Sequence, residues 1–249
     1  MDSVPTPAFV DLHCHTSWSP DSLSRPERVA RVAAERGLTH LAVTDHGRIE
    51  GALAARDGAP AGLYVIVGEE ISTREGDLVG VFLERPVPNG LSAAEAAAAV
   101  HEQGGLVGLA HPYDRFRGST LAGARRNGDA KGGPSTDAID ALAPLVDYVE
   151  SFNARVPLGS ANERAAEWAL GHRIPGVAVS DAHTLFEVGI SYVVVPGPIA
   201  DAASLRAALP QARLVTSHAS YVVRAWTPVA RLVQRLRGGP GHDAARTPA

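Results

Sequence analysis

Lysine and cysteine are almost absent from this chain, which has 249 residues and one of each, Lys131 and Cys14. A single cysteine excludes an internal disulfide and makes a reducing cytoplasm the expected location. The lack of paired cysteines also argues against a closed, thiolate-rich structural zinc site. Long apolar runs are missing too, and none approaches the roughly 18 residues that a membrane-spanning helix needs. Residues 1–7 carry neither a basic stretch nor an apolar one, so no secretion signal is expected. No Gly-x-Gly-x-x-Gly and no P-loop occurs, so a glycine cradle for nucleotide phosphates is not indicated. Nor is there an excess of positive charge. The net charge is −4 and the isoelectric point about 6.2. That balance weighs against broad electrostatic binding of nucleic acid, while leaving room for a locally basic cleft.

What is present reads as a soluble α/β enzyme. The hydrophobic fraction is 45% and the charged fraction 20%, and the length suffices for one large domain with a sizeable core. Strand-like apolar runs at 9–12, 41–43, 63–67, 106–109, 146–152, 177–179, 191–195 and 213–216 alternate with helical patterns at 25–36, 92–103, 160–170 and 201–208. Pro26 in a first turn and Gly37 as a stop frame the first helix, and Ser24 with Glu27 and Ser92 with Glu95 fit capping boxes. Such alternation predicts βα units and a parallel sheet, with residues 77–83 forming a local hairpin with the third strand. The stretch 117–134 is Gly-rich, lacks apolar periodicity and carries Arg125, Arg126 and Lys131, and is read as a mobile loop beside the site. The single domain is expected over 8–223, with 224–249 a partly disordered tail.

Chemistry-bearing clusters close five of the strand-like runs. They are His13-Cys14-His15, Thr44-Asp45-His46, Gly68-Glu69-Glu70-Ile71-Ser72, Ala110-His111-Pro112 and Ser180-Asp181-Ala182-His183. Side chains alternate faces along a strand, so His13 and His15 point one way and Cys14 the other, and Asp181 shares a face with His183. Buried imidazoles and carboxylates are costly unless they pair or bind metal. One such cluster has a bland reading as a capped polar loop; five in series do not. All fall at the C-terminal ends of strands, where (β/α) barrels assemble their active sites. Mixed imidazole and carboxylate ligands suit zinc, manganese or iron.

These clusters, in this order and together with Asp21, resemble the polymerase and histidinol phosphatase (PHP) family, from about Phe9 to about Thr216. The resemblance implies a distorted (β/α)7 TIM-like barrel that holds two or three divalent metals and cleaves phosphoesters. Carried over residue by residue, it implies one metal on His13, His15, Glu70 and Asp181. A second would use Glu70 as a bridge, with His111, and a third Asp21, His46 and His183. The family pattern Gly-x-Glu-apolar-Ser selects Glu70 over Glu69, which would face the other side of its strand. Where many members place a further histidine, this chain has Glu150-Ser151-Phe152-Asn153-Ala154-Arg155, making Asn153 the nearest ligand or orienter. Amidohydrolases also begin a barrel with His-x-His but often bridge their metals with a carbamylated lysine, and the one lysine here lies in the Gly-rich stretch. The implied catalytic residues are Glu70, His111, Asp181 and His183.

For substrate phosphate, Arg48, Arg115, Asn153 and Arg155 are candidates, with Arg117 behind them; a guanidinium matches phosphate oxygens in a fork. Trp18 could stack on a base. Cys14, His40, His101, His172 and His242 are read as structural or exposed, and His218 as a surface residue. The leading expectation is a cytoplasmic, metal-dependent phosphoesterase acting on a nucleoside monophosphate, a nucleoside 3′,5′-bisphosphate or a similar small phosphorylated metabolite. The alternatives are a 5′-to-3′ exonuclease on short RNA or DNA, a histidinol-phosphate phosphatase, and a degenerate metal-binding accessory module without activity. No membrane and no protein partner is expected.

Overall fold

The computed structural model describes residues 6–114, 139–157, 160–220, 223 and 226–240. Strand β1 (Pro7–Asp11) pairs in parallel with β2 (His40–Val43), and β2 with β3 (Tyr64–Ser72). Strand β4 (Asp77–Val81) then runs antiparallel between β3 and β5 (Leu106–Leu109). Parallel pairing resumes from β5 through β6 (Tyr148–Asn153) to β7 (Gly176–Val179). On the other side of β1, β8 (Tyr192–Pro196) and β9 (Arg213–Val215) add antiparallel. The order is β7-β6-β5-β4-β3-β2-β1-β8-β9. The expectation of a parallel sheet thus holds for the βα units, and the hairpin strand β4 enters the barrel wall instead of standing apart from it.

The sheet curls until its β1 and β7 ends meet. Asp181 N donates to His13 O and His15 N to Ala182 O, both at 2.8 Å, and Cys14 bridges Ala182 in parallel. The Asp11 carboxylate reinforces this closure by accepting from Ser180 N at 3.1 Å. Burial there pushes the Asp11 carboxyl up to about 7, against the hydrogen bonds from Ser180 and His13.

Alternation along the strands divides the core. Val10, Leu12, Ala42, Ile66, Leu106, Tyr148 and Val177 form one apolar cluster inside the barrel, with Leu205 and Leu209 from α5 (Ala202–Ala208) and its exit. Because β8 ends beside Pro7, α5 closes the end of the barrel where β1 begins, opposite the five clusters. The other face of the strands, with Leu41, Val43, Val65 and Leu109, packs under α1 (Pro26–Glu35), α2 (Glu50–Asp57), α3 (Ala93–His101) and α4 (Ala161–His172).

Capping follows expectation at α3, where Ser92 and Glu95 form the full box. It departs at α1, where Arg25 is the N-cap without a side-chain bond and Pro26 occupies the first turn. The Ser24 backbone carbonyl instead accepts from Ser17 N at 2.7 Å, which folds the loop after β1 back on itself. The segment expected to be a partly disordered tail contains α6 (Trp226–Leu236). Ala230 and Gln234 on this helix are buried, and Gln234 donates to Ser17 O at 2.9 Å and Ser22 O at 2.8 Å.

Candidate metal centre

The barrel closure aims the first two imidazoles. His13 and His15 leave β1 on one face, with their Nε2 atoms 3.0 Å apart, while Cys14 is buried in the core behind them. Each ring is held from its Nδ1 side. His13 Nδ1 lies 2.5 Å from Glu150 Oε1. His15 Nδ1 lies 2.9 Å from Ser19 Oγ, whose single proton goes to Asp45 Oδ1 at 2.6 Å. A carboxylate and a hydroxyl already donating elsewhere can only accept, so both Nδ1 atoms carry a proton and both Nε2 atoms, the positions left for a metal, face inward. His183 repeats the device with Nδ1 2.9 Å from the Asp181 carbonyl.

Glu70 sits at the centre. Its Oε2 lies 2.9 Å from His46 Nδ1, 3.3 Å from His15 Nε2 and 3.5 Å from His13 Nε2, and its Oε1 lies 3.0 Å from His111 Nε2. Asp181 Oδ1 is 3.5 Å from His15 Nε2 and 3.8 Å from His13 Nε2. Asp21 completes the outer edge, with Oδ1 3.4 Å from His183 Nε2 and Oδ2 3.6 Å from His46 Nε2. Burial opposes charge on Glu70, yet His46 and His13 hold its carboxyl well below the usual range. Burial would also lower His13, but the carboxylates of Glu150, Asp181 and Glu70 push it well above its ordinary value.

Two residues in this cluster hold left-handed backbone, His111 at φ 27° and Asp181 at φ 50°. Such conformations cost about 1–3 kcal/mol each and persist where the surroundings fix them. Here the His111 N–H is taken by Glu150 Oε2 at 2.9 Å, and the Asp181 N–H by the barrel closure. Close approach matters nearby: a Cβ on Gly51 would lie 2.0 Å from Asp45 Oδ2 and 2.5 Å from Thr16 Oγ1. Glycine there lets Asp45 clamp the loop carrying Thr16 and Ser19, with Thr16 N at 2.7 Å.

Every residue singled out as a ligand therefore comes to one place: His13, His15, Asp21, His46, Glu70, His111, Asp181 and His183. Within it, His13, His15 and Glu70 form one group able to hold a metal ion, and His15, His46 and His183 another. A third consists of Glu70, His111 and Asp77. The donors fit divalent ions: buried, inward-facing imidazole lone pairs alternate with carboxylates that have few other ways to be satisfied.

The substrate candidates fare differently. Asn153 is buried and donates through Nδ2 to Glu150 Oε2 at 2.8 Å and Asp181 Oδ2 at 2.9 Å, the geometry of an orienter. Arg155 is not directed at the cluster. Its guanidinium is buried against Glu187, 2.9 Å away, and donates to Thr227 Oγ1 at 2.6 Å. Arg48 is half-buried and its Nε has no hydrogen-bond partner among the described residues. Arg115, Arg117, Arg125, Arg126 and Lys131 lie outside the described residues. Glu69 faces away as expected, accepting from Val87 N at 2.8 Å, with burial pushing its carboxyl up to about 7.

Three site residues escaped the sequence reading. Glu150 shares the inner face of β6 with Tyr148 at a spacing of two, a signal that was available. Asp77 begins β4, and since β4 is antiparallel its start lies at the same rim as the ends of its neighbours. Burial, then the Glu70 charge, raises its carboxyl to about 6. Arg231, on the unanticipated α6, lies 3.0 Å from Asp21 Oδ2.

A barrel gathering imidazoles and carboxylates at one rim is the architecture of metal-dependent hydrolases. Comparison with known proteins narrows that class. Family models for the PHP domain and for a PHP-associated region match residues 11–127 and 159–214. Two uncharacterized proteins of Methanocaldococcus jannaschii, MJ1587 and MJ0417, are 38% and 30% identical over 114 and 184 residues. The matches cover 41% and 74% of this chain and 67% and 69% of theirs. The crystal structure of a candidate metal-dependent phosphoesterase from Bifidobacterium adolescentis shares the fold, with a TM-score of 0.58 and 17% identity over 88% of this chain and 100% of that one. The chain belongs to the PHP family and carries the fold of its metal-dependent phosphoesterases, which are hydrolases.

Proposed function

We propose that this protein is a phosphomonoesterase acting on a nucleoside monophosphate, a nucleoside 3′,5′-bisphosphate or a similarly small phosphorylated metabolite, with two to three zinc, manganese or iron ions at the Glu70 cluster. The observation that carries the reading is Glu70 itself, one carboxylate in reach of four imidazoles and shared by two of the three groups. In this reading His13, His15, Glu70 and Asp181 hold one ion. Glu70 and His111, joined by Asp77, hold a second, and Asp21, His46 and His183 a third. Divalent ions so held supply Lewis acidity toward a phosphoryl oxygen and make an attacking water more acidic.

The chain's own part is to orient. Glu150 and Ser19 fix the tautomers of His13 and His15, and Asn153 steadies Asp181. A cavity of about 340 Å³ beside the cluster is lined by Asp21, His46, Arg231 and Arg235. With one N–H engaged by Asp21, Arg231 keeps further donors for a phosphate oxygen. Arg48 is the second proposed cation, and Arg115 a third.

Elemental analysis of protein purified without chelator, together with a substrate panel, tests the reading. We expect two to three metal equivalents, and turnover of nucleotides with weak salt dependence. A single equivalent would break the multinuclear assignment. Short RNAs cleaved far faster than any nucleotide, with activity falling steeply in salt, would replace the phosphomonoesterase by an exonuclease.

A further inference from the structure

His183, a member of the metal-type cluster, also lines a second cavity, of about 530 Å³, whose character is unlike the first. Its walls are Leu23, Leu185, Phe186 and Trp226, with Arg25 and Arg28 also lining it. Phe186 is 78% exposed and Trp226 48%, large aromatic surfaces that fold stability alone does not call for. No acidic side chain lines the cavity among the described residues.

We infer that this cavity is the nucleoside subsite, receiving the base of a nucleotide whose phosphate lies at the adjoining metal cluster. The inference rests on the phosphomonoesterase reading and specifies its leaving group. Four observations select the occupant. His183 belongs to both the cluster and the cavity wall, so the two sites adjoin. The volume suits a ring system with its sugar, within the range of ordinary ligand pockets. Flat aromatic walls offer stacking, which every base can use. Arg25 and Arg28 favour a neutral or anionic ligand and repel an ammonium group, so an amino-alcohol phosphate fits poorly. Trp18, the residue that sequence alone offered for stacking, does not line this cavity.

The two walls are tied to one buried ion pair. Glu187 Oε2 accepts from His183 N at 3.1 Å and Thr184 N at 2.9 Å, which fixes the turn presenting Phe186. Its partner Arg155 reaches Thr227, next to Trp226. The subsite is therefore held to the same scaffold that holds His183.

The test compares Phe186→Ala and Trp226→Ala with the parent, all in the metal-loaded full chain, on AMP and on glycerol 3-phosphate, with adenosine binding followed by calorimetry. Both residues are exposed enough for the variants to fold, which melting temperatures would verify. Each variant should lower kcat/KM for AMP about tenfold and weaken adenosine binding by a similar factor. Glycerol 3-phosphate should stay within about twofold, since it has no base to stack. Equal losses on both substrates, or unchanged AMP turnover and adenosine binding, would overturn the subsite. So would a dimer that dissociates on Trp226→Ala, because the aromatic face would then be an interface between two copies. If the parent hydrolyses neither ester, the phosphomonoesterase reading fails on its own, and adenosine binding with its loss in the variants still decides the subsite.

Discussion

Replacing Glu150 by glutamine should strip metal from this protein while leaving its fold in place. Glu150 is 1% exposed and accepts three hydrogen bonds, from His13 Nδ1, His111 N and Asn153 Nδ2. In Glu150→Gln one oxygen remains to accept, and an amide group that can only donate takes the place of the other. If the amide nitrogen faces His13, the Nδ1 atom must accept, the proton moves to Nε2, and the lone pair aimed at the cluster is lost. If the amide is flipped, its nitrogen opposes the His111 N–H or the Asn153 amide instead. Either arrangement weakens the site without opening a cavity.

The magnitude follows from comparable outer-layer partners, whose loss costs about 10- to 100-fold in metal affinity, or about 1.4 to 2.7 kcal/mol. Metal stabilises the folded chain by mass action, so the melting temperature of the loaded variant should fall by the corresponding amount. The metal-free variant should itself melt below the metal-free parent, because Glu150 is foremost among the carboxylates that hold buried His13 protonated, so the loss at the site is read from the difference between the loaded and metal-free forms. Affinity would be read by competition with a chromophoric chelator and stoichiometry by elemental analysis. A variant that folds like the parent and binds metal within twofold of it would refute the argument that Glu150 sets the His13 tautomer.

Four further outcomes can be checked alongside. Glu70→Gln should collapse both metal content and turnover, whereas Glu69→Gln, on the opposite face of β3, should leave both within about threefold, the effect of a site outside the ligand sphere; the reverse pattern would mean that the assignment is one residue out. Asp77→Asn should cost about one metal equivalent while the others stay, and unchanged stoichiometry would remove Asp77 from the ligands. Arg231→Gln should raise KM for phosphomonoesters about tenfold with metal content unchanged, the loss of one charge-assisted contact; an unaltered KM would make Arg231 only a tether for α6. Because carboxylates outweigh burial and hold metal-free His13 well above its ordinary value, metal must displace a proton near neutral pH. Apparent affinity should then climb with pH, by up to about tenfold per unit for each proton released, and a flat profile would contradict this.

What the sequence disclosed about this site depended on strand direction. His13, His15, His46, Glu70, His111, Asp181 and His183 all follow apolar runs of parallel strands, or of β3, whose C-terminal ends define the rim. Asp77 was invisible to that rule because β4 runs the other way, so its first residue, not its last, reaches the rim. Asp21 lies in a loop with no periodicity and came only from the family pattern. Distance along the chain from β6 offered Arg155 for phosphate but could not show a partner 32 residues away, Glu187, which holds its guanidinium. Helix α6 was missed for a related reason. Its sequence is amphipathic, but the Gly- and Pro-rich stretch after it suggested a tail, and the contacts that hold it, from Gln234 and Arg231 to the loop after β1, are tertiary.

Those contacts bear on how the barrel confines chemistry to one rim. Asp21 faces His46 and His183 from inside and Arg231 from outside, so α6 caps the cluster without entering it. The same helix lines both cavities, with Trp226 in the apolar one and Arg231 and Arg235 in the polar one. Arg155 anchors its beginning through Thr227, and Glu187 fastens Arg155 to the His183 turn. Both charges are nearly excluded from solvent, so removing either one would leave the other unpaired at a cost of about 3–5 kcal/mol. A pair that cannot be lost cheaply is well placed to keep His183, the turn bearing Phe186 and the helix bearing Trp226 in fixed relation. The geometry of the metal cluster and the shape of the space beside it are, on this argument, set by one buried interaction that belongs to neither.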